Sequence, residues 1–154
     1  MKLDIGGEEV IGAAPEALWR ALNDPLVLTR CIPGCKAMTL TAPDAYTIVL
    51  ELKVASVGGS FEGAIALAEK HEPLGCVVAV SGAGTLGNGK GAARFEIQPQ
   101  DAISARLVYR GEGEIGGLVA GVGQRILKGV SKHLIGQFFK ALRKEFGAAS
   151  QDAA

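Results

Sequence analysis

Between Tyr46 and Tyr109 apolar residues recur at every second position, in blocks separated by connectors too short to hold anything but a turn. Tyr46, Ile48, Leu50, Leu52 and Val54 alternate with Thr47, Val49, Glu51 and Lys53, the pattern of a strand with one buried face. Phe61, Ile65 and Leu67 continue it. Cys76, Val78 and Val80, then Ala93, Phe95 and Ile97, then Ile103, Ala105, Leu107 and Tyr109 follow. The connectors read as Ala42-Pro43-Asp44, Gly58-Gly59-Ser60, Glu72-Pro73-Leu74-Gly75 and Pro99-Gln100-Asp101, all turn-forming compositions. A parallel pair needs a crossover of roughly a dozen residues or more, which none of these supplies. The strands must therefore run as an antiparallel meander, and a sheet of that kind curves.

The segments on either side of the meander complete the plan. Lys2 to Ile11 reads as a first strand, with Gly6-Gly7 expected to mark a bulge. Pro15 suits a first helical position, and Leu18, Trp19 and Leu22 then share one face. Asp24-Pro25 repeats the device, a side-chain cap followed by proline, for a second helix of little more than Leu26 to Arg30. Cys31-Ile-Pro-Gly-Cys35 ends it and opens the next strand.

After Gly116-Gly117 a helix is expected from Leu118 to Phe146, ~43 Å long. Val119, Val122, Ile126 and Val130 begin its apolar stripe, joined by Leu127, Leu134 and Phe138, but the stripe drifts beyond Leu134 toward Phe139 and Phe146. Gly129 and Gly136 lie seven apart on one face, as close packing against a strand would require. Residues 1–147 are read as one domain, and 148–154 as a flexible tail. At 154 residues one core suffices without disulfides or metal.

Charge excludes more than it assigns. Sixteen basic residues balance sixteen acidic ones, so nucleic-acid binding by net charge has no support. The distribution is uneven: from Leu118 to Phe146 six Lys/Arg face one Glu, a net of +5, which leaves −5 elsewhere. That basic segment suits an anionic surface or an acidic partner. The N-terminus has Asp4, Glu8 and Glu9 and no apolar core, so no signal peptide is read, and no window is long and apolar enough to span a membrane. A cytoplasmic protein with three reduced thiols is expected, peripheral at the inner membrane face at most.

Several motifs carry less than their spelling suggests. Gly82-Ala-Gly84-Thr-Leu-Gly87 matches a dinucleotide-binding fingerprint, but the last glycine must open a helix, and Asn88-Gly89-Lys90-Gly91 would break one. A phosphate-binding loop fails for the same reason, with Gly91 in place of the hydroxyl that binds magnesium. A glycine-rich hairpin accounts for the run. Cys31 and Cys35 are not at zinc-ribbon spacing, Cys76 is distant, and His71 and His133 complete no ligand set, so no metal is expected. Glu51, Glu112 and Glu114 read as solvated strand charges rather than an acid/base pair.

A cavity is the better inference. A cupped sheet closed by one helix needs bulk to fill it, and this chain has five Phe, two Tyr and one Trp. Ala64, Ala66, Ala79, Gly82, Ala93, Ala105 and Gly111 are small where a filled core would be large. Ligand sites are concave and mostly apolar.

The order of strand, two short helices, meander and long terminal helix resembles the helix-grip architecture of the START-like, or SRPBCC, superfamily. Within it the chain resembles the CoxG family, whose members are CoxG subunits of carbon monoxide dehydrogenase. The residues carrying this are Ala14-Pro15-x-x-Leu18-Trp19, Ala21-Leu-Asn-Asp-Pro25, Arg30-Cys-Ile-Pro-Gly-Cys35, Phe61-Glu-Gly63, the hairpin from Gly82 to Gly91, Gly123-Gln-Arg-Ile-Leu127 and Gln137-Phe-Phe139. The resemblance implies an α+β fold, a curved seven-stranded antiparallel sheet wrapped on the C-terminal helix with two short helices after the first strand. It also implies an accessory protein rather than a catalyst. It would bind a quinone, lipid or similar hydrophobic molecule and associate with a molybdenum hydroxylase of the carbon monoxide dehydrogenase type, with a role in membrane recruitment. Some members continue into a C-terminal membrane anchor; the sequence here reads to Ala154 without an apolar tail, so weak peripheral contact is the expectation.

The residues assigned to the pocket are Phe61, Ile65, Phe95, Leu107, Tyr109, Val122, Ile126 and Val130, with the Tyr109 hydroxyl orienting a ligand carbonyl. Cys31, Ile32, Pro33 and Gly34 are assigned to its mouth. Lys140, Arg143, Lys144, Phe139 and Phe146 are assigned to a membrane or partner surface. No cofactor is required beyond a bound quinone or lipid. Two alternatives stand beside this reading: a small-molecule enzyme of the polyketide cyclase type, which needs convergent polar groups in the pocket, and a docking module that uses the basic terminal helix.

Overall fold

The computed structural model describes residues 1–54 and 57–153. One antiparallel sheet of seven strands, ordered β1-β7-β6-β5-β4-β3-β2, carries three helices. β1 (Lys2–Ile11) is followed by α1 (Pro15–Leu22) and α2 (Pro25–Cys31); then come β2 (Cys35–Ala42), β3 (Ala45–Val54), β4 (Val57–His71), β5 (Gly75–Gly84), β6 (Gly87–Asp101) and β7 (Ser104–Gly116). A 3-10 turn at Leu118–Val122 leads into α3, Gln124–Ala153. The meander expected from the alternation is present, and β1 closes it by pairing with β7.

Local signals explain the helices. Asp24 accepts a hydrogen bond from the Leu26 amide at 2.9 Å, and Pro25 sets the entry angle of α2. Leu18, Trp19, Ala21 and Leu22 of α1 are buried. They meet Cys31, Cys76, Ile97, Ala105, Leu107, Phe139 and Leu142 in the larger hydrophobic core. Trp19 and Phe95 approach with ring centroids 6.2 Å apart, and Tyr109 stacks toward Phe139 at 5.5 Å.

Four details depart from the sequence reading. Gly6 and Gly7 form no bulge; they pair in unbroken register with Arg110 and Tyr109. A Cβ at Gly7 would stand 2.7 Å from the Tyr109 hydroxyl, so this glycine makes room for a ring. Gly58, Gly59 and Ser60 lie within β4, paired with Lys53, Leu52 and Glu51, and β6 likewise runs on through Asp101. Ile103 sits in the β6–β7 turn, 78% exposed, rather than in the inward series.

The terminal helix departs most. It is two segments, because Gly117 and Gly123 adopt φ of +84° and +96°, which side-chain-bearing residues avoid. Val119 and Val122 therefore belong to a separate turn, and the buried stripe of α3 starts from Leu127, not Ile126. From Leu127 through Leu134, Ile135, Phe138, Phe139, Leu142 and Phe146 the helical spacing holds, so there is no drift. Gly129 and Gly136 have nothing within 4 Å of a Cβ built on them, so they do not pack on a strand. The backbone of α3 is helical through Ala153, beyond the domain end expected at 147; Ala154 and the Val54 side chain lie outside what is described.

Candidate functional site

Along each central strand the inward-facing side chains shrink from one end to the other. On β6 they run Ile97, Phe95, Ala93, Gly91, Gly89, Gly87. On β5 they run Cys76, Val78, Val80, Gly82, Gly84. β7 repeats the pattern with Ala105, Leu107, Tyr109, Gly111 and Gly113. The strands pair so that the small residues coincide: Gly63 faces Gly82, Gly82 faces Gly89, Gly91 faces Gly113, and Ala93 faces Gly111. The bulky end meets α1 and the C-terminal half of α3 in a filled core. The glycine end has nothing to fill it.

A cavity of about 600 Å³ occupies that end. Leu3 and Ile5 of β1, Ile48, Leu50 and Leu52 of β3, and Phe61 and Ile65 of β4 form its walls. Val119, Leu127, Val130, Ser131 and Leu134 close it from the helical side, and Ile32 borders it. Val80 shows what the cavity does to burial: it points inward, yet it is 45% exposed because no side chain covers it. The glycine rows also thin the sheet. A separate, shallower depression of about 530 Å³, bordered by Glu62, Ser81, Asn88, Lys90 and Glu114, shares Gly63, Gly82 and Gly89 with the cavity.

Three of the eight residues assigned to the pocket, Phe61, Ile65 and Val130, line this cavity. Phe95, Leu107 and Tyr109 belong to the filled core instead. Tyr109 packs against Phe139, and burial, followed by the nearby Glu9 carboxylate, pushes its phenol up from the ordinary value. Val122 packs beside the cavity in the smaller core with Leu3, Val119 and Leu127. Ile126 faces solvent, 49% exposed. Of the small residues taken to leave the space, Gly82, Ala93 and Gly111 do border it. Ala105 is buried in the core, while Ala64, Ala66 and Ala79 are exposed positions of their strands.

The assigned mouth residues divide in the same way. Ile32 reaches the cavity, whereas Cys31 is only 2% exposed within the core. Pro33-Gly34 form a clip. Gly34 adopts φ +73°, and its carbonyl accepts a hydrogen bond from the Glu51 amide at 2.8 Å, which holds the α2–β2 connection against β3. A Cβ at Gly34 would meet the Glu51 carbonyl at 2.3 Å. All three thiols are raised above their ordinary value, chiefly by burial; at Cys31 the Glu145 carboxylate adds to the rise and Arg30 opposes it. They pack rather than react.

Phe139 of the assigned outer surface is 4% exposed and sits in the core, so it faces no partner. Phe146 packs on the same core. Arg143 is held by the Glu9 carboxylate at 2.5 Å and the Val10 carbonyl at 3.2 Å, while Lys140 and Lys144 are exposed.

Polar chemistry inside the cavity is sparse. Glu62, Ser81, Asn88, Lys90 and Glu112 border it but occupy exposed positions that alternate with the inward glycines. Ser131 of α3 is the hydrogen-bonding side chain on the helical wall, and its hydroxyl has no partner among the described residues. No group of three or more His, Cys, Asp or Glu residues is placed to hold a metal among the described residues. Such a site can bury apolar surface and orient one polar atom.

The family model for CoxG, the CoxG subunit of carbon monoxide dehydrogenase, matches residues 7–147, nearly the whole sheet and most of α3. The chain belongs to the CoxG family. Among solved structures, the CoxG-family chain is similar to a conserved protein from Geobacillus kaustophilus, at 33% identity over 96% of this chain and 97% of that one, with a TM-score of 0.93. A START superfamily protein from Mycobacterium smegmatis shares the fold at 17% identity, TM-score 0.73, over 92% and 95% of the two chains. The ZhuI aromatase/cyclase from Streptomyces sp. R1128 does so at 15% identity, TM-score 0.65, over 94% and 96%. Among curated proteins none matches the sequence. The START-like, helix-grip fold expected for a CoxG member is therefore the fold observed, and family and fold together point to a hydrophobic ligand.

Proposed function

We propose that this CoxG-family protein holds a quinone, lipid or similar hydrophobic molecule in the cavity between the glycine end of the sheet and α3. The cavity itself carries the reading: about 600 Å³, walled by Leu3, Ile5, Leu50, Phe61, Ile65 and Leu127, and polar on its inner side only at Ser131. Each ligand methylene buried there contributes ~0.8 kcal/mol, so a short isoprenoid or acyl chain binds on burial alone. Ser131 supplies the one contact that fixes a carbonyl or hydroxyl end.

The same reading makes the protein an accessory of a molybdenum hydroxylase of the carbon monoxide dehydrogenase type, acting in its recruitment to the membrane. The family is named for that enzyme. No helix among the described residues is long and apolar enough to cross a membrane, so recruitment runs through peripheral contact.

Native mass spectrometry of gently purified protein, followed by lipid extraction and titration with quinones of increasing chain length, tests the binding. A bound mass that grows tighter with each isoprenoid unit is the expected result. An empty protein that ignores added quinones and lipids overturns it.

A further inference from the structure

The 3-10 turn and the first turns of α3 meet at one shoulder, and each presents two consecutive residues with opposite fates. Val119 is 8% exposed and Leu127 5%, and both wall the cavity. The residue before each points out: Leu118 is 76% exposed and Ile126 49%. Gly117, Gly121 and Gly123 surround Leu118, and a Cβ at Gly121 or Gly123 would touch nothing within 4 Å, so the turn protrudes without cover. Gln124 pins the shoulder to β1, donating to the Lys2 carbonyl at 2.8 Å.

Three cations border these apolar groups. Arg125, Lys128 and Lys132 are exposed, and their spacing of three and seven puts them on one flank of α3. None of them has an ion-pair partner among the described residues, in contrast to Arg143, which Glu9 holds. No acid occurs between Glu114 and Glu145.

We propose that this shoulder is a docking surface for an anionic lipid bilayer, with Leu118 and Ile126 entering the interface and Arg125, Lys128 and Lys132 meeting the headgroups. The apolar groups protrude singly among cations instead of lining a groove, which suits a fluid interface rather than a protein's complementary pocket. The surface lies well away from the Lys140–Phe146 segment expected from sequence. It rests on the hydrophobic-ligand reading only for its purpose: docking here brings the cavity walls Val119 and Leu127 within one residue of the lipid.

Flotation of the full chain with phosphatidylcholine vesicles, with or without about one third phosphatidylglycerol, is the test. Binding to the anionic vesicles, weakened by salt, is expected. Lys128→Gln with Lys132→Gln should lower partitioning ~25-fold, at about five-fold per basic residue. Leu118→Ser with Ile126→Ser should abolish it without altering the melting temperature, since neither side chain is buried. In Leu118→Trp the emission should shift to the blue on vesicle addition. Absence of binding to anionic vesicles overturns the proposal. So does binding that survives both double variants and is lost with Lys140→Gln and Lys144→Gln, or a protein partner that Leu118→Ser releases while vesicles never bind. Gly82→Val, which fills the cavity, should leave vesicle binding intact; wild-type protein that binds vesicles yet takes up no ligand sinks the ligand reading and supports the surface.

Discussion

Gly63 lies directly opposite Gly82 across the β4–β5 ladder, and the floor of the cavity is laid over that pair. The two glycines are not equivalent. A Cβ at Gly63 would stand 2.2 Å from the Ser81 carbonyl oxygen, inside any real contact, whereas at Gly82 the nearest atom is the Glu62 carbonyl oxygen at an ordinary 3.4 Å. One glycine lets two strands approach; the other leaves a volume empty.

Substitution separates the two roles. Gly82→Val should fold with a melting temperature near that of the wild type and lose ligand affinity by ten-fold or more, on the order of 1.4 kcal/mol. Gly63→Ala should destabilise by ~1–3 kcal/mol, because backbone has to move. Denaturant titration beside ligand titration reads both, and equal behaviour of the two variants would refute the distinction.

Gly129 and Gly136 offer the opposite case. Neither has a neighbour within 4 Å of a built Cβ, so alanine adds helix propensity with no steric cost. Each replacement should stabilise by ~0.5–1 kcal/mol. Thermal melts of the single and double variants check this, and additivity is expected since the sites are two turns apart.

Ser131 should matter only to ligands with a polar end. Ser131→Ala is expected to weaken a quinone or fatty alcohol about five-fold, the worth of one hydrogen bond of ~1 kcal/mol, and to leave a plain hydrocarbon unaffected. Paired titrations with the alcohol and the alkane of equal length decide it.

Stability should fall at alkaline pH. Cys31 and Cys76 are raised from the ordinary 9.0, and Tyr109 from 10.0, mainly by burial, so the folded chain holds these protons more tightly than the unfolded chain. Their contribution is complete below the unfolded values and is lost as pH rises through the folded ones, so unfolding free energy should decline above pH ~9. Cys31→Ala with Cys76→Ala should flatten that decline in denaturant melts measured across the range, despite its cost in packing.

Alternation from Tyr46 to Tyr109, the two Pro-initiated helices and the turn compositions determined the meander, its antiparallel sense and the family, because strand period and capping are local and each residue reports its own face. The taper was also written there, in Ile97, Phe95, Ala93, Gly91, Gly89 and Gly87, and it marks the empty end of the cup. Read one strand at a time, bulky aromatics looked like a lining. Tertiary structure decided otherwise: α1 and the C-terminal half of α3 lie over Phe95, Leu107 and Tyr109 and turn them into core, which moves the cavity to the glycine end. It also decided the phase of α3. Two glycines at positive φ detach Leu118–Val122 from the helix, so the stripe counts from Leu127 and leaves Ile126 in solvent. Such long-range choices depend on which element covers which face, and no residue carries that information alone.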